Sequence, residues 1–257
     1  MSKLALIIIL RLLCFKAFGS KKLTFKGIFA FCFFGLQNEK VCGILTVKVI
    51  KKAKGQEMVI YFDTETTGLC PGRIIQLSYI KESENEAIGK NFYFAVDYIE
   101  PSAQAVHGIS VEKLKELSGG KTFSDYADEI EEDFKASSLV VAHNFSFDLS
   151  FMLAEFRGLD TSFRYNESFD TMKYFTHVLK LPRKSGKGYK YPKLTELTEF
   201  AEVYPYDVSR TVKSLFGEGS LSFHNACFDA SAMYLTVNSM RGKLADLNEF
   251  FAAKIKS

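Results

Sequence analysis

The sequence predicts an α/β fold on a mixed five-stranded sheet: three antiparallel strands first, parallel additions after them, and helices on the flanks. Three observations lead there. MVIYFD (58–63), RIIQLSYI (73–80) and KNFYFAV (90–96) are β-rich runs joined by short turns, the pattern of an antiparallel meander. Beyond residue 110 strand-like and helix-like stretches alternate, as parallel pairing requires. A hydrophobic content of 47% is enough for a sizeable core, and nothing in it reads as disordered.

Taken in order, Thr67 to Gly72 supplies turn chemistry between the first two strands. VEKLKEL (111–117) reads as a helix capped by Ser110, and SDYADEIEEDFKA (124–136) as a helix capped by Ser124. SLVVAH (138–143) is a short buried strand leading into a helix from about Ser146 to Phe156. FRYNESFD (163–170) is the fifth strand, followed by helices near 171–180 and 194–203. Helices over 225–240 and 242–255 close the chain. There is no internal repeat and no linker long enough for a second domain, so the expected division is an extension at 1–57 and one domain at 58–257.

The net charge of +3 hides a polarised chain. Residues 1–57 carry 11 Lys/Arg and two acids, Glu39 and Glu57, which leaves 22 basic and 28 acidic residues, a net of −6, for the rest. That sign excludes a general nucleic-acid coat, so any such binding must rest on a local patch and on metals. Of five cysteines (14, 32, 42, 70 and 227) none shows metal-ligand spacing, and only two lie beyond residue 57. The cytoplasm is therefore the expected compartment. LALIIILRLLCF (4–15) and IFAFCFFGL (28–36) are apolar but fall short of the about 20 residues of a membrane span, so a membrane partner is not expected. Three explanations of 1–57 stay open: translation that really begins at Met58, a signal-like or membrane-targeting segment, and accessory structure. The first is favoured, because the first strand starts directly at Met58 and Lys54-Gly55-Gln56-Glu57 needs mostly purine codons, like a bacterial ribosome-binding site.

Five side chains carry the chemical signal. Asp63 and Glu65 lie in FDTETTGL (62–69), Asp148 ends HNFSFD (143–148), and His224 and Asp229 bound HNACFD (224–229). On a strand the i, i+2 spacing points Asp63 and Glu65 to one face. The two aspartates follow 85 and 81 residues further on in succession, so only a fold unites them. Gathered carboxylates need a cation, and an oxygen-only cluster suits Mg²⁺ or Mn²⁺ rather than zinc. His224, five residues before Asp229, is expected in the loop before a helix that carries Asp229 on its first turns.

These three segments resemble the motifs of the DEDDh family of 3′→5′ exonucleases. That DnaQ-like group includes the proofreading subunit of bacterial replicative DNA polymerase, with RNase T and oligoribonuclease as relatives. The likeness runs from about Met58 to about Met240 and takes in AVHGIS (105–110), FDT (169–171) and LTELTEFA (194–201). It implies the RNase H-like fold and a two-metal hydrolysis of phosphodiester bonds. Asp63 would then bridge two ions, Glu65 and Asp229 would hold the one that activates water, and Asp148 would complete the second site. His224 would be the general base, a task suited to an imidazole of pKa about 6.5. Asp170 is expected to order a local turn.

Several residues are expected to face substrate. Thr66, Thr67 and Gly68 offer backbone to the terminal nucleotide, and His107 resembles a family residue at the 3′-nucleotide pocket. Phe145 and Phe147 could stack on bases or fill the core. In LPRKSGKGYKYPK (181–193), Arg183, Lys184, Lys187 and Lys190 are interleaved with tyrosines and read as an arm that grips a nucleic-acid backbone. DYADEIEEDF (125–134), with six acids, reads as a solvated face away from it. VYPYDVSRTVKSLFGEGSLSF (203–223) is longer than the family pattern before the third motif and is expected to reshape the rim of the site. After Met240 only a short tail follows, so a polymerase-binding extension is expected to be missing. The leading expectation is an exonuclease releasing nucleoside monophosphates from single-stranded or frayed DNA 3′ ends. The alternatives are an exoribonuclease of the RNase T or oligoribonuclease type and a polymerase-associated proofreading or binding module.

Overall fold

A computed structural model describes residues 58–70, 72–217 and 223–255. The expectations for 1–57 fall outside the described residues. Strands β1 (Val59–Thr66), β2 (Ile74–Glu82), β3 (Ala87–Tyr93), β4 (Leu139–Ala142) and β5 (Ser168–Asp170) form one sheet in the order β3-β2-β1-β4-β5. The β1–β2 and β2–β3 pairs are antiparallel, whereas β4 joins β1, and β5 joins β4, in parallel. This is the mixed sheet expected from the meander and the later alternation.

The helices are α1 (Pro101–His107), α2 (Val111–Ser118), α3 (Ala127–Ala136), α4 (Phe145–Gly158), α5 (Thr171–Leu179), α6 (Leu194–Ala201), α7 (Pro205–Phe216), α8 (Ala226–Arg241) and α9 (Ala245–Ile255). A single 3₁₀ turn, Phe123–Asp125, precedes α3. No helix among the described residues is long and apolar enough to cross a membrane.

The period of two along β1 sorts its side chains into two cores. Val59 and Tyr61 pack with Phe228, Met233 and Val237 of α8 and Phe251 of α9. Ile60 and Phe62 pack with Ile130 and Phe134 of α3 and Phe151 and Met152 of α4. Helices therefore cover both faces of β1, which explains why MVIYF is a continuous apolar run rather than an alternating one. The second core is aromatic. Phe134 meets Phe62 at 5.2 Å and Tyr79 at 5.3 Å between ring centroids, both edge to face, and Phe163 at 5.1 Å.

Helix α1 was not expected from the sequence, and three further elements differ from expectation for local reasons. The stretch 124–136 breaks in two because Thr122 and Asp125 cap each other, with the Thr122 N–H donating to Asp125 Oδ2 at 2.7 Å, so Thr122 rather than Ser124 takes the capping role. The fifth strand keeps only three residues, because Asn166 first donates through Nδ2 to the Ser137 carbonyl at 2.5 Å. The long segment before the third motif contains helix α7, opened by Pro205 at its first turn. Val208 and Val212, one helical turn apart, are buried in the α8 core. The end of α7 lies on β3 so closely that a Cβ on Gly89 would stand 2.7 Å from the Leu215 carbonyl oxygen. Helix α7 thus covers one face of the edge strand β3.

The aromatic core yields a stability prediction. Phe134 is fully buried, and Phe134→Ala should destabilise the protein by about 3–5 kcal/mol through lost contacts and an unfilled cavity. Denaturant unfolding monitored by circular dichroism measures it, and a loss well under 1 kcal/mol would contradict this packing.

Candidate active site

The carboxylates meet at the end of β1. Asp63 and Glu65 continue the face of Val59 and Tyr61, which turns them toward α8, and Asp229 stands in the first turn of that helix. One carboxylate oxygen from each of Asp63, Glu65 and Asp229 lies within 4.8 Å of the others. Asp148 arrives from the opposite side on the first turn of α4 and is buried. Its Oδ1 accepts from the Thr64 hydroxyl at 2.7 Å and from the Thr64 N–H at 3.2 Å, so the residue between Asp63 and Glu65 ties α4 to the same strand end.

Crowding and burial disfavour the charged forms. Burial, and then the charges of Asp229, Asp148 and Glu65, raise Asp63 well above the usual carboxylate range. Burial, with Asp229 and Asp148, pushes Glu65 up to about 8. Asp148 is pushed up to about 7 by burial against the pull of the Thr64 hydrogen bonds. Asp229 is likewise pushed up to about 7 by burial, while the His224 N–H, 3.2 Å from Oδ2, pulls it down. The other Asp229 oxygen, Oδ1, is buried without a hydrogen-bond partner. A buried acceptor left open beside two further carboxylates is the environment a hard divalent cation fits.

His224 is exposed and precedes Asn225, the N-cap of α8. Its backbone adopts a left-handed conformation, φ +68°, uncommon for a residue other than glycine though less so for histidine than for most. His107, the last residue of α1, lies near it. Its Nδ1 accepts the Ile109 N–H at 3.1 Å, and its buried Nε2 faces the Thr66 carbonyl. Burial lowers the His107 pKa, the Thr66 carbonyl raises it, and His224 lowers it further.

Thr66, Thr67 and Gly68 are buried at the mouth of this cluster. The Thr66 hydroxyl donates to the Gly68 carbonyl at 2.8 Å, and Thr67 is closed onto Arg73 by two hydrogen bonds. A Cβ at Gly68 would meet the Glu100 carboxylate, so that side chain would have to shift for any larger residue. Beyond it Leu69 is 83% exposed, an apolar side chain at the lip of the site that the sequence reading passed over. Its signal was the apolar residue directly after the Thr-Thr-Gly turn.

Two sequence-derived candidates need correction. Phe145 is 7% exposed and packs edge to face on Phe62 and Tyr165, so it fills the core and is not available for stacking. Phe147 is half-buried against Phe151 and remains on the surface side of α4. Lys190 pairs with Glu196, which the lysine holds below the usual carboxylate range, so Lys190 anchors the arm to α6 and is not one of its free cations. Arg183, Lys184 and Lys187 are exposed, on an excursion closed by the Pro182–Tyr189 bridge. At its base His143 Nε2 donates to the Pro192 carbonyl at 3.1 Å, and its Nδ1 lies 2.9 Å from the Thr171 hydroxyl. Asp170 caps α5 by accepting the Lys173 N–H at 3.2 Å, the local role expected of it.

Comparison with known proteins gives the same direction. Residues 60–234 match the family described as Exonuclease. The chain is 28% identical over 193 residues to the DNA polymerase III subunit epsilon of Escherichia coli K12, covering 71% of each chain. It is 31% identical over 144 residues to that of Buchnera aphidicola subsp. Schizaphis graminum, covering 52% of this chain and 59% of the relative. Among solved structures, Escherichia coli exonuclease I in complex with a dA16 oligonucleotide shares the fold with a TM-score of 0.56 at 17% identity over 76% of this chain. A complex of the same enzyme with a 5cy-dT13 oligonucleotide has a TM-score of 0.59 at 16% identity over 77%. The chain spans 43% of the length of those exonuclease I chains. With the family match, the epsilon relatives and the fold in agreement, the chain belongs to the exonuclease family, in its DnaQ-like 3′→5′ branch with the RNase H-like fold.

Proposed function

We propose that the protein is a metal-dependent exonuclease that releases nucleoside monophosphates from the 3′ ends of single-stranded or frayed DNA. The observation that carries this reading is the buried convergence of Asp63, Glu65 and Asp229 with the unpartnered Asp229 Oδ1. Asp63 would be shared by two ions, Glu65 and Asp229 would serve one, and Asp148 the other. Two bound Mg²⁺ or Mn²⁺ ions would supply charge relief at the scissile phosphate and ready the attacking water. His224 takes the proton from that water, for which its exposure and its position before α8 suit it. Thr66, Thr67, Gly68 and His107 receive the terminal nucleotide, with Leu69 and Phe147 offering apolar surface to its neighbours. Arg183, Lys184 and Lys187 attract the backbone behind it.

The names of the epsilon relatives support DNA over RNA and support a polymerase partnership as a second reading. Co-purification with a polymerase tests that partnership. The two cysteines among the described residues, Cys70 and Cys227, form no disulfide with each other, which supports a reducing, cytosolic compartment.

Three outcomes are expected. A 5′-labelled DNA strand should be laddered from its 3′ end by the protein with Mg²⁺ or Mn²⁺, faster than RNA of the same sequence. Asp63→Ala should abolish the cleavage and His224→Ala should lower kcat about 10²–10⁴-fold. Metal-independent cleavage, or full activity without Asp63, would sink the reading.

Without metal, the raised acids make stability fall with pH. An unfolded carboxylate releases its proton near pH 4, whereas Asp148, Asp229 and Glu65 hold theirs to about 7, 7 and 8 in the fold. The metal-free melting temperature should therefore drop between about pH 4 and 8, and Asp63→Asn should raise it at pH 8. Added Mn²⁺ should recover the loss in the wild type. A metal-free melting temperature that is flat or rises over this window would contradict the geometry.

Replacing Arg183, Lys184 and Lys187 by Ser should weaken single-strand binding and flatten its log–log salt slope by about 2. An unchanged slope would remove the arm from the binding surface.

A further inference from the structure

We propose that Gln76, on β2, is a positioning residue that sets where the start of α8, and with it His224 and Asp229, stands relative to Asp63 and Glu65. The inference rests on the reading of those four residues as the nuclease centre and names the buried group that assembles them.

Gln76 lies directly opposite Glu65 in the β1–β2 register, so both side chains emerge on the face that α8 covers. It is fully buried. A buried primary amide must satisfy two donors and an acceptor, and here its contacts join two elements, α8 and β3. Oε1 accepts the Ala226 N–H at 3.2 Å. Ala226 is the first residue of α8, so its N–H is one of the amides that a helix cannot satisfy internally. On the other side, Nε2 donates to Asn91 Oδ1 at 3.0 Å and to the Tyr93 hydroxyl at 3.1 Å, both on β3. The Ala226 N–H can only donate, which fixes the oxygen of Gln76 on that amide, while its nitrogen reaches β3 and also lies 3.5 Å from Asn225 Oδ1 and 3.7 Å from Cys227 Sγ. The neighbouring N-cap contact completes the clamp: Asn225 Oδ1 accepts the Cys227 N–H at 3.1 Å.

The consequence is geometric. Ala226 lies two residues after His224 and three before Asp229, so its N–H is the point through which the sheet holds both. The amide that holds it grows from the strand position paired with Glu65. Shifting this one hydrogen bond moves Asp229 and His224 together, away from carboxylates fixed on β1. A buried, satisfied glutamine that only stabilises the fold is the competing account, and it predicts a different pattern in variants.

The test uses the full chain with two substitutions. Gln76→Met is near in volume and removes the acceptor. Gln76→Glu keeps an acceptor for Ala226, and the Tyr93 hydroxyl can donate to its second oxygen. Gln76→Met should lower kcat on single-stranded DNA about 10- to 100-fold with little change in KM, and should weaken Mn²⁺ binding measured by calorimetry by a similar factor. Gln76→Glu should restore both to near wild type. The inference is overturned if Gln76→Met keeps kcat and Mn²⁺ affinity while only its melting temperature falls, or if Gln76→Glu fails as badly as Gln76→Met. Failure of the functional reading shows separately, as a wild-type protein without metal-dependent cleavage. In that case the Mn²⁺ affinities of the two variants still decide the role of Gln76, and a wild type that binds no Mn²⁺ overturns both.

Discussion

Mutual repulsion among carboxylates buried at the end of β1 is the constraint around which this domain is arranged. Asp63, Glu65 and Asp229 bring oxygens within 4.8 Å of one another, and Asp148 stands close enough to raise two of them. No cation from the protein is paired with this group among the described contacts, whereas the lysines and arginines that form ion pairs do so elsewhere, as Lys81 and Lys90 do with Asp133. The cluster is therefore unfavourable on its own terms and must be held by the rest of the fold until a cation neutralises it.

That holding force comes from both faces of the sheet. On one face α8 and α9 pack on Val59 and Tyr61, and on the other the aromatic cluster around Phe134 packs on Ile60 and Phe62. Because side chains alternate along β1, the strand that anchors both cores also delivers Asp63 and Glu65 to the α8 side and Thr64 to Asp148 on the other. Stability and site geometry thus share one backbone segment. The buried polar ladder of β2 and β3, with Gln76 and Ser78 facing Asn91, Tyr93 and Cys227, links that segment to the start of α8.

Much of this was readable from local pattern. The paired acids follow from period two on a strand, and the left-handed loop before α8 suits the gap between His224 and Asp229. What local pattern missed was context. Helices α1 and α7, opened by Pro101 and Pro205 at their first turns, were not placed from sequence. Phe145 and Phe147 look equivalent in sequence, yet they sit two apart on a helix, so one turns to the core and the other partly to solvent. Lys190 reads like its basic neighbours, but Glu196 waits one turn into the next helix.

The sequence by itself determined the fold class, the family resemblance and the chemical identity of the acidic cluster, because those depend on residue type, spacing and strand period. Only the tertiary structure decided which groups are neighbours across distant segments. The pairing of Glu65 with Gln76, and the reach of Gln76 to Ala226 150 residues away, are examples. Such contacts leave no periodic trace, since they arise from the register of strands and the docking of α8 on the sheet. Registers and docking are set by the whole packed core and by no single stretch of the chain.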